Sequence, residues 1–289
     1  MLPPLLCSAL KYTISTRGKT FEFDMSKRVI LVPYSPEAIT AVRGLYLLMR
    51  VIKGIPRIYG IPSGDPVESW KREFFNRFLS LLKGETEVTK VYPQMDFEIS
   101  TESLSVRGKV VRTALGVEVE VKKAPEVQGS GPSAMLSLDY QLQRDLLKLN
   151  PIILPFERVG FFYAFGQFVF ASTEERPSGI PKALGIAAAM INGLVTMGEL
   201  RQRVKGMTCT GSPSIPINCD EVPLNSLTPD VIEEIVMGLA LEIAKPEDVV
   251  IIEVPELLKP KERALEILRS FRSRLVLVSD QLAIADISS

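Results

Sequence analysis

Apolar and polar residues alternate in the opening stretch, where Leu10–Thr16 and Lys19–Asp24 flank Arg17-Gly18 and predict a β-hairpin. The run Arg28 to Val32 is apolar without alternation, the pattern of a parallel strand covered on both faces. Pro33 to Pro36 interrupts it. From Glu37 to Ile52 the residues Ala38, Val42, Leu45, Leu48, Met49 and Ile52 recur at helical spacing. Residues 56 to 60 fit a short strand, and Pro66 to Leu82 a helix with Trp70, Phe74, Phe75 and Phe78 mostly on one face. Alternation returns from Val88 to Lys123 and predicts an antiparallel meander with turns at Arg107-Gly108 and Leu115-Gly116.

Gln128 to Pro132 reads as a break and Ser133 to Leu149 as a helix capped by Ser133. Pro151 to Leu154 is a second buried-strand pattern, followed by helical segments at Glu157–Ser172 and Pro181–Val204. Residues 206 to 227 are rich in Pro, Ser, Thr and Asn and read as loop. Thr228-Pro229-Asp230 opens a helix reaching Ala244, with Thr at the cap and Pro in the first turn. Asp248–Glu253 and Arg274–Val278 read as buried strands on either side of a helix at Lys261–Ser270. Such helix–strand alternation is what a parallel sheet requires.

Composition narrows the chemistry. Hydrophobic residues make up 46% of the 289, enough for a sizeable core. Lys+Arg and Asp+Glu both total 34, which argues against coating nucleic acid or an anionic membrane through bulk charge. The absence of histidine removes the usual general base and any Ser-His or Cys-His nucleophile pair. Cys7, Cys209 and Cys219 are too scattered for a metal framework; the latter two read as free thiols, with a disulfide between them the alternative. The apolar stretches Phe161–Ala171 and Leu184–Val195 are interrupted and short for a membrane span, so a cytoplasmic protein is expected. Many Pro, Glu, Lys and Arg with few Asn point toward a thermophilic source.

Three segments carry a resemblance. The hairpin, buried strand, loop and helix at the start are in the order that leads into a phosphate-binding loop. Ile153-Leu154-Pro155-Phe156-Glu157-Arg158-Val159-Gly160 is similar to a strand-end Ile-Pro-Ala-Glu-Arg-x-Gly element. Near the C-terminus come a helix start at Leu227-Thr228, the strand Val249–Glu253, Pro255-Glu256, a helix, and a strand ending at Val278-Ser279-Asp280. Together they resemble the ABC-type ATPases, in particular the soluble chromosome-maintenance and overcoming-lysogenization-like branch. The fold class so implied is α/β: a P-loop NTPase core of ABC-ATPase type with an antiparallel β subdomain and a helical region. Residues 1–289 would form one domain, with 56–150 an insert-like part of it.

The resemblance also implies what has been lost. A phosphate loop needs glycines, so that backbone N–H groups can wrap phosphate, and a lysine. Pro33-Tyr34-Ser35-Pro36-Glu37-Ala38-Ile39-Thr40 stands in that place, with Pro33 and Ala38 for Gly, Ile39 for Lys, and Thr40 alone matching the Mg²⁺-ligand position. Glu253 takes the Walker B Asp place, Val254 that of the catalytic Glu, Asp280 that of the switch His, and Thr228-Pro229-Asp230 that of the signature Ser-Gly-Gly. Valine neither accepts a proton nor holds water by hydrogen bonds. No catalytic residue is therefore assigned. Ser35, Thr40 and Arg158 are relic nucleotide positions, and Thr40 and Glu253 relic metal positions.

The expected function is that of a pseudo-ATPase without cofactor, working through a protein partner or a homodimer in DNA maintenance, repair or defence. One alternative is an active ATP-binding protein with Thr40, Glu253 and Glu256 around Mg²⁺; another is a nucleic-acid-binding module that keeps only the fold. Blander readings apply to single features. Arg158 suits a surface salt bridge. The aromatics from Phe161 to Phe170 suit core packing, and Arg201, Arg203 and Lys205 a solvated face. Gly18-Lys19-Thr20 echoes a Walker A ending, but it precedes the buried strand and reads as a turn away from the phosphate edge.

Overall fold

The computed structural model describes residues 10–53, 66–84, 94–102, 104–111, 116–123, 149–160, 200–204, 207–212, 215–223 and 226–288. In chain order the first strands and helices are β1 (Lys11–Thr16), β2 (Lys19–Asp24), β3 (Val29–Val32), α1 (Pro36–Lys53), α2 (Pro66–Gly84), β4 (Gln94–Ser100), β5 (Ser105–Val111), β6 (Gly116–Lys123) and β7 (Pro151–Leu154). Then come β8 (Leu200–Val204), β9 (Met207–Ser212), β10 (Ile215–Cys219), β11 (Val222–Pro223), α3 (Pro229–Ile243), β12 (Val249–Glu253), a 3₁₀ turn at Pro255–Leu257, α4 (Lys261–Ser270), β13 (Arg274–Val278) and α5 (Ile284–Ser288). The expected helix at 133–149 and short strand at 56–60 lie outside the described residues, apart from Leu149. Where the sequence pattern reads as one domain, the chain forms two compact units: residues 1–30 with 35–151, and 31–34 with 152–289.

In the first unit, the hairpin turns through Arg17 and Gly18 at φ 49° and 78°, the left-handed pair that a two-residue type I′ turn demands. Its strands join β4, β5 and β6 of the meander in one sheet of order β2-β1-β4-β5-β6. Tyr12 lies opposite Ile99 and Ile14 opposite Phe97, which gathers these apolar residues on one face. Trp70, Phe74 and Phe78 of α2 cover that face, with Phe78 and Phe97 rings 5.5 Å apart, while Phe75 falls off the stripe and is half-buried. A Cβ on Gly44 of α1 would collide with the Met95 sulfur, so a larger residue here requires the flexible Met95 side chain on β4 to shift. Arg107-Gly108 is no turn. Both residues pair within β5, and the chain instead reverses at Thr101–Leu104, where Thr101 Oγ1 accepts the Leu104 N–H at 2.9 Å.

The second unit holds a four-stranded sheet of order β3-β13-β12-β7. β12 and β13 run parallel, and all five residues of β12 are buried, as expected for a strand covered on both faces. A separate antiparallel sheet, β11-β10-β9-β8, corrects two expectations: Leu200–Val204 is strand and not helix end, and 207–223 contains three strands in place of a loop. Thr208, Thr210, Ser212 and Asn218, which suggested loop, sit in strands, where β-branched Thr is at home. Asp220 and Glu221, both at positive φ, form the β10–β11 turn. Cys219 is disulfide-bonded, and the residue opposite it in the β9–β10 register is Cys209, which corrects the free-thiol reading. Among the described residues, no helix is long and apolar enough to cross a membrane.

Candidate functional site

The carboxyl ends of the four parallel-sheet strands meet at one edge, where open α/β sheets place their ligands. Ser279 N–H donates to Val32 C=O at 3.0 Å and Val254 N–H to Val278 C=O at 2.9 Å, so β3, β13 and β12 all finish there. Phe156 N–H reaches Glu253 Oε2 at 3.0 Å and adds the end of β7. The loop after β3 thus lies between strand and helix, but one strand, β13, separates it from the Glu253 strand.

Arg158 organises this edge. Its Nε donates to Glu233 Oε2 at 2.6 Å, its Nη1 to the carbonyls of Glu253 at 2.6 Å and Pro155 at 3.1 Å, and its Nη2 to the Val254 carbonyl at 3.0 Å. Arg158 is 1% exposed, so the surface-salt-bridge reading is corrected. Glu233 stands on α3, whose residues from Val231 to Ala240 are all buried. Burial raises its carboxyl above the ordinary glutamate range, and the charge and hydrogen bond of Arg158 only partly oppose this. Val254 is held at φ 50° and ψ 63°, a left-handed conformation that costs a β-branched residue about 1–2 kcal/mol. Arg158 and the Leu257 N–H both grip its carbonyl, and its own N–H is bonded to β13.

The expected metal position, Glu253, is fully buried and spends an oxygen on the loop after β7. Glu256 accepts from Ser279 Oγ at 3.0 Å, while its second oxygen is buried without a partner. Ser279 Oγ in turn accepts the N–H groups of Gln281 and Leu282. At the switch position, Asp280 Oδ1 accepts the Tyr34 N–H at 2.8 Å. Thr228 at the signature-like start caps α3 without a side-chain hydrogen bond. Among the described residues, no group of three or more His, Cys, Asp or Glu is placed to hold a metal ion.

The other expected relics, Ser35 and Thr40, lie in the first unit, at the start of α1. Helix N-termini bind phosphate through free N–H groups. Here Pro36 has none, the Glu37 N–H meets its own carboxylate, the Ala38 N–H meets Ser35 Oγ at 3.0 Å, and the Ile39 N–H meets Ser35 C=O at 3.0 Å. Lys19 Nζ sits 3.0 Å from Glu37 Oε2. Hydrogen bonds from Lys19, then from its own backbone N–H, hold the Glu37 carboxyl below the ordinary range. Lys19, read as remote from this loop, therefore stands beside it and is already paired. Thr40 Oγ1 donates to the Pro36 carbonyl at 2.9 Å and is buried in the helix.

Sequence reasoning missed Glu233, Ser279 and the Lys19–Glu37 pair. Glu233 had one available signal, an acid within the apolar run Val231-Ile232…Ile235-Val236. No protein-family model matches the chain, and no curated protein matches it in sequence.

Proposed function

We propose that the chain is a non-catalytic ABC-ATPase-like protein that acts through protein–protein contacts, as partner or regulator of an active ATPase in DNA maintenance, repair or defence. The observation that carries this reading is the start of α1, whose donors are all taken by the chain's own groups and whose anion position holds Glu37 against Lys19. A phosphate arriving there meets a carboxylate, and like charges repel. At the other relic positions, the side chains of Glu253, Asp280 and Arg158 are each committed to holding a neighbouring loop or turn.

The active-nucleotidase reading draws less support, because the Thr40 hydroxyl is bonded within its own helix. The nucleic-acid reading draws less support too, because the described residues that line the open face of the five-stranded sheet carry both signs of charge. An open hollow of about 390 Å³ there is lined by Asp96, Glu98 and Glu120 against Arg107 and Lys109, and Arg107 is paired with Glu98 at 2.8 Å. Calorimetric titration with ATP and Mg²⁺ tests the proposal. No saturable heat up to about 1 mM nucleotide is expected, and Mg²⁺-dependent saturation overturns it.

A further inference from the structure

We infer that the polar face of the five-stranded sheet binds a free basic amino acid, or a small molecule with the same two cationic groups and one anionic group. The inference goes beyond the contact-protein reading and does not depend on it.

Strand alternation builds this face. Tyr12, Ile14, Phe97, Ile99, Val106 and Val110 are buried on one side of the sheet, so Thr13, Asp96, Glu98, Arg107, Lys109 and Glu120 share the other. The latter six line the open hollow of about 390 Å³, a volume within the range of small-molecule sites. None of the large apolar side chains exposed among the described residues stands in it, so charge and hydrogen bonding select the occupant.

The register leaves three charges unmatched. Arg107 stands opposite Glu98 on β4 and Glu120 on β6, and it pairs with Glu98 at 2.8 Å, where Ser105 Oγ adds a hydrogen bond at 3.2 Å. Glu120 is thereby left over. Lys109 stands opposite Asp96, yet among the described residues the side chains of Lys109, Asp96 and Glu120 form no ion pair or hydrogen bond. With Arg107 and Glu98 cancelling, the hollow offers two exposed carboxylates and one half-buried ammonium. Glu118 is a further acid at the register position opposite Lys109.

An occupant that meets all three carries two cations and one anion. Lys109 and Asp96 face each other directly across β5 and β4, which suits a carboxylate and an ammonium on one carbon. Glu120 stands on β6, about 10 Å from Asp96 across the strands and about 7 Å along them, where the side-chain cation of an extended lysine or arginine ends. A diamine leaves Lys109 unmet, and an acidic amino acid brings two anions to a hollow with surplus carboxylates. Exposed pairs are individually weak, so half-saturation is expected at about 1 mM.

Amide NMR titration of the full chain with L-lysine, L-arginine, cadaverine and L-glutamate tests this. Lysine and arginine should shift amides of β4, β5 and β6 and saturate, with cadaverine and glutamate about fivefold weaker or more. Asp96→Asn and Glu120→Gln should each weaken lysine about fivefold. Lys109→Met should weaken lysine as much and leave cadaverine unchanged, while Glu262→Gln on α4 of the second unit should change nothing. No saturable shift by lysine or arginine up to about 10 mM, cadaverine or glutamate binding as tightly as lysine, or lysine binding indifferent to Lys109→Met overturns the inference. So does binding of lysine only within a peptide, since the occupant is then a protein segment.

Discussion

Arg158 and Glu233 form an ion pair with Nε 2.6 Å from Oε2, and neither side chain is more than 4% exposed. The pair joins α3 to the turn after β12, because the same guanidinium holds the carbonyls of Glu253 and Val254. Arg158→Met strips donors from three carbonyls and leaves Glu233 buried alone, for an expected loss of about 3–5 kcal/mol in urea unfolding. Glu233→Gln keeps an acceptor for Nε and should cost less. The folded carboxyl titrates above an unfolded glutamate, so its titration favours folding in acid, and that contribution is lost as pH rises through the raised value. The gap between wild type and Glu233→Gln should therefore narrow as pH rises; a gap that widens instead contradicts the assignment of the shift to burial.

Val254 stands in a left-handed conformation where the family resemblance puts a catalytic glutamate. Val254→Gly removes the Cβ clash at an entropic cost, and the net gain should reach up to about 1 kcal/mol. Val254→Glu restores a carboxylate but not the donors of α1. Phosphate release from ATP should stay at background, and measurable turnover by this single substitution would show the nucleotide site to be intact.

The hydroxyl of Tyr12 is fully buried with no partner, and burial raises the phenol well above its ordinary range. An unmet hydroxyl costs more than the hydrogen bonds it forgoes. Tyr12→Phe should raise the unfolding free energy by about 1 kcal/mol, with no change in the denaturant slope. A loss of stability would reveal a partner for the hydroxyl.

How much could be read in advance depended on the kind of signal. Continuous apolar runs predicted β12 and β13, and the Lys261–Ser270 helix was placed to the residue, since burial on both faces leaves no other use for such runs. Local chemistry misled where it had two uses. Arg107-Gly108 looked like a turn, yet an extended Gly pairs in a strand; the Thr-rich 207–212 stretch looked like loop, yet β-branching suits β9. The site was legible as a set of positions and illegible as a set of partners. Nothing local tells that Arg158 finds Glu233 across 75 residues, or that Lys19 finds Glu37 across 18.

Cys219 is buried and disulfide-bonded, with Cys209 opposite it in the register. Closing a loop of about ten residues stabilises by about 2–3 kcal/mol in the chain-entropy account. Reductant and Cys219→Ser should each lower the unfolding midpoint by the same amount, and reductant should add nothing to the variant. A wild-type midpoint that ignores reductant would mean that the bond does not form in solution.

Lys19 and Glu37 decide between a lost phosphate site and a hidden one. The carboxyl of Glu37 is held below its ordinary range chiefly by the hydrogen bond from Lys19. A lowered carboxyl adds stability above the unfolded value and loses it as pH falls through the folded value. Lys19→Met should therefore be less stable than wild type at neutral pH, and the difference should vanish in acid as Glu37 protonates. Salt should shrink it too, because Lys19 is exposed. Glu37→Gln removes the anion and releases Lys19. If the consumed donors at Ser35 and the prolines close the site, that variant still binds no ATP. If the carboxylate was the sole obstacle, Mg²⁺-dependent binding appears, and the chain is an ATPase relative that carries its own blocking anion.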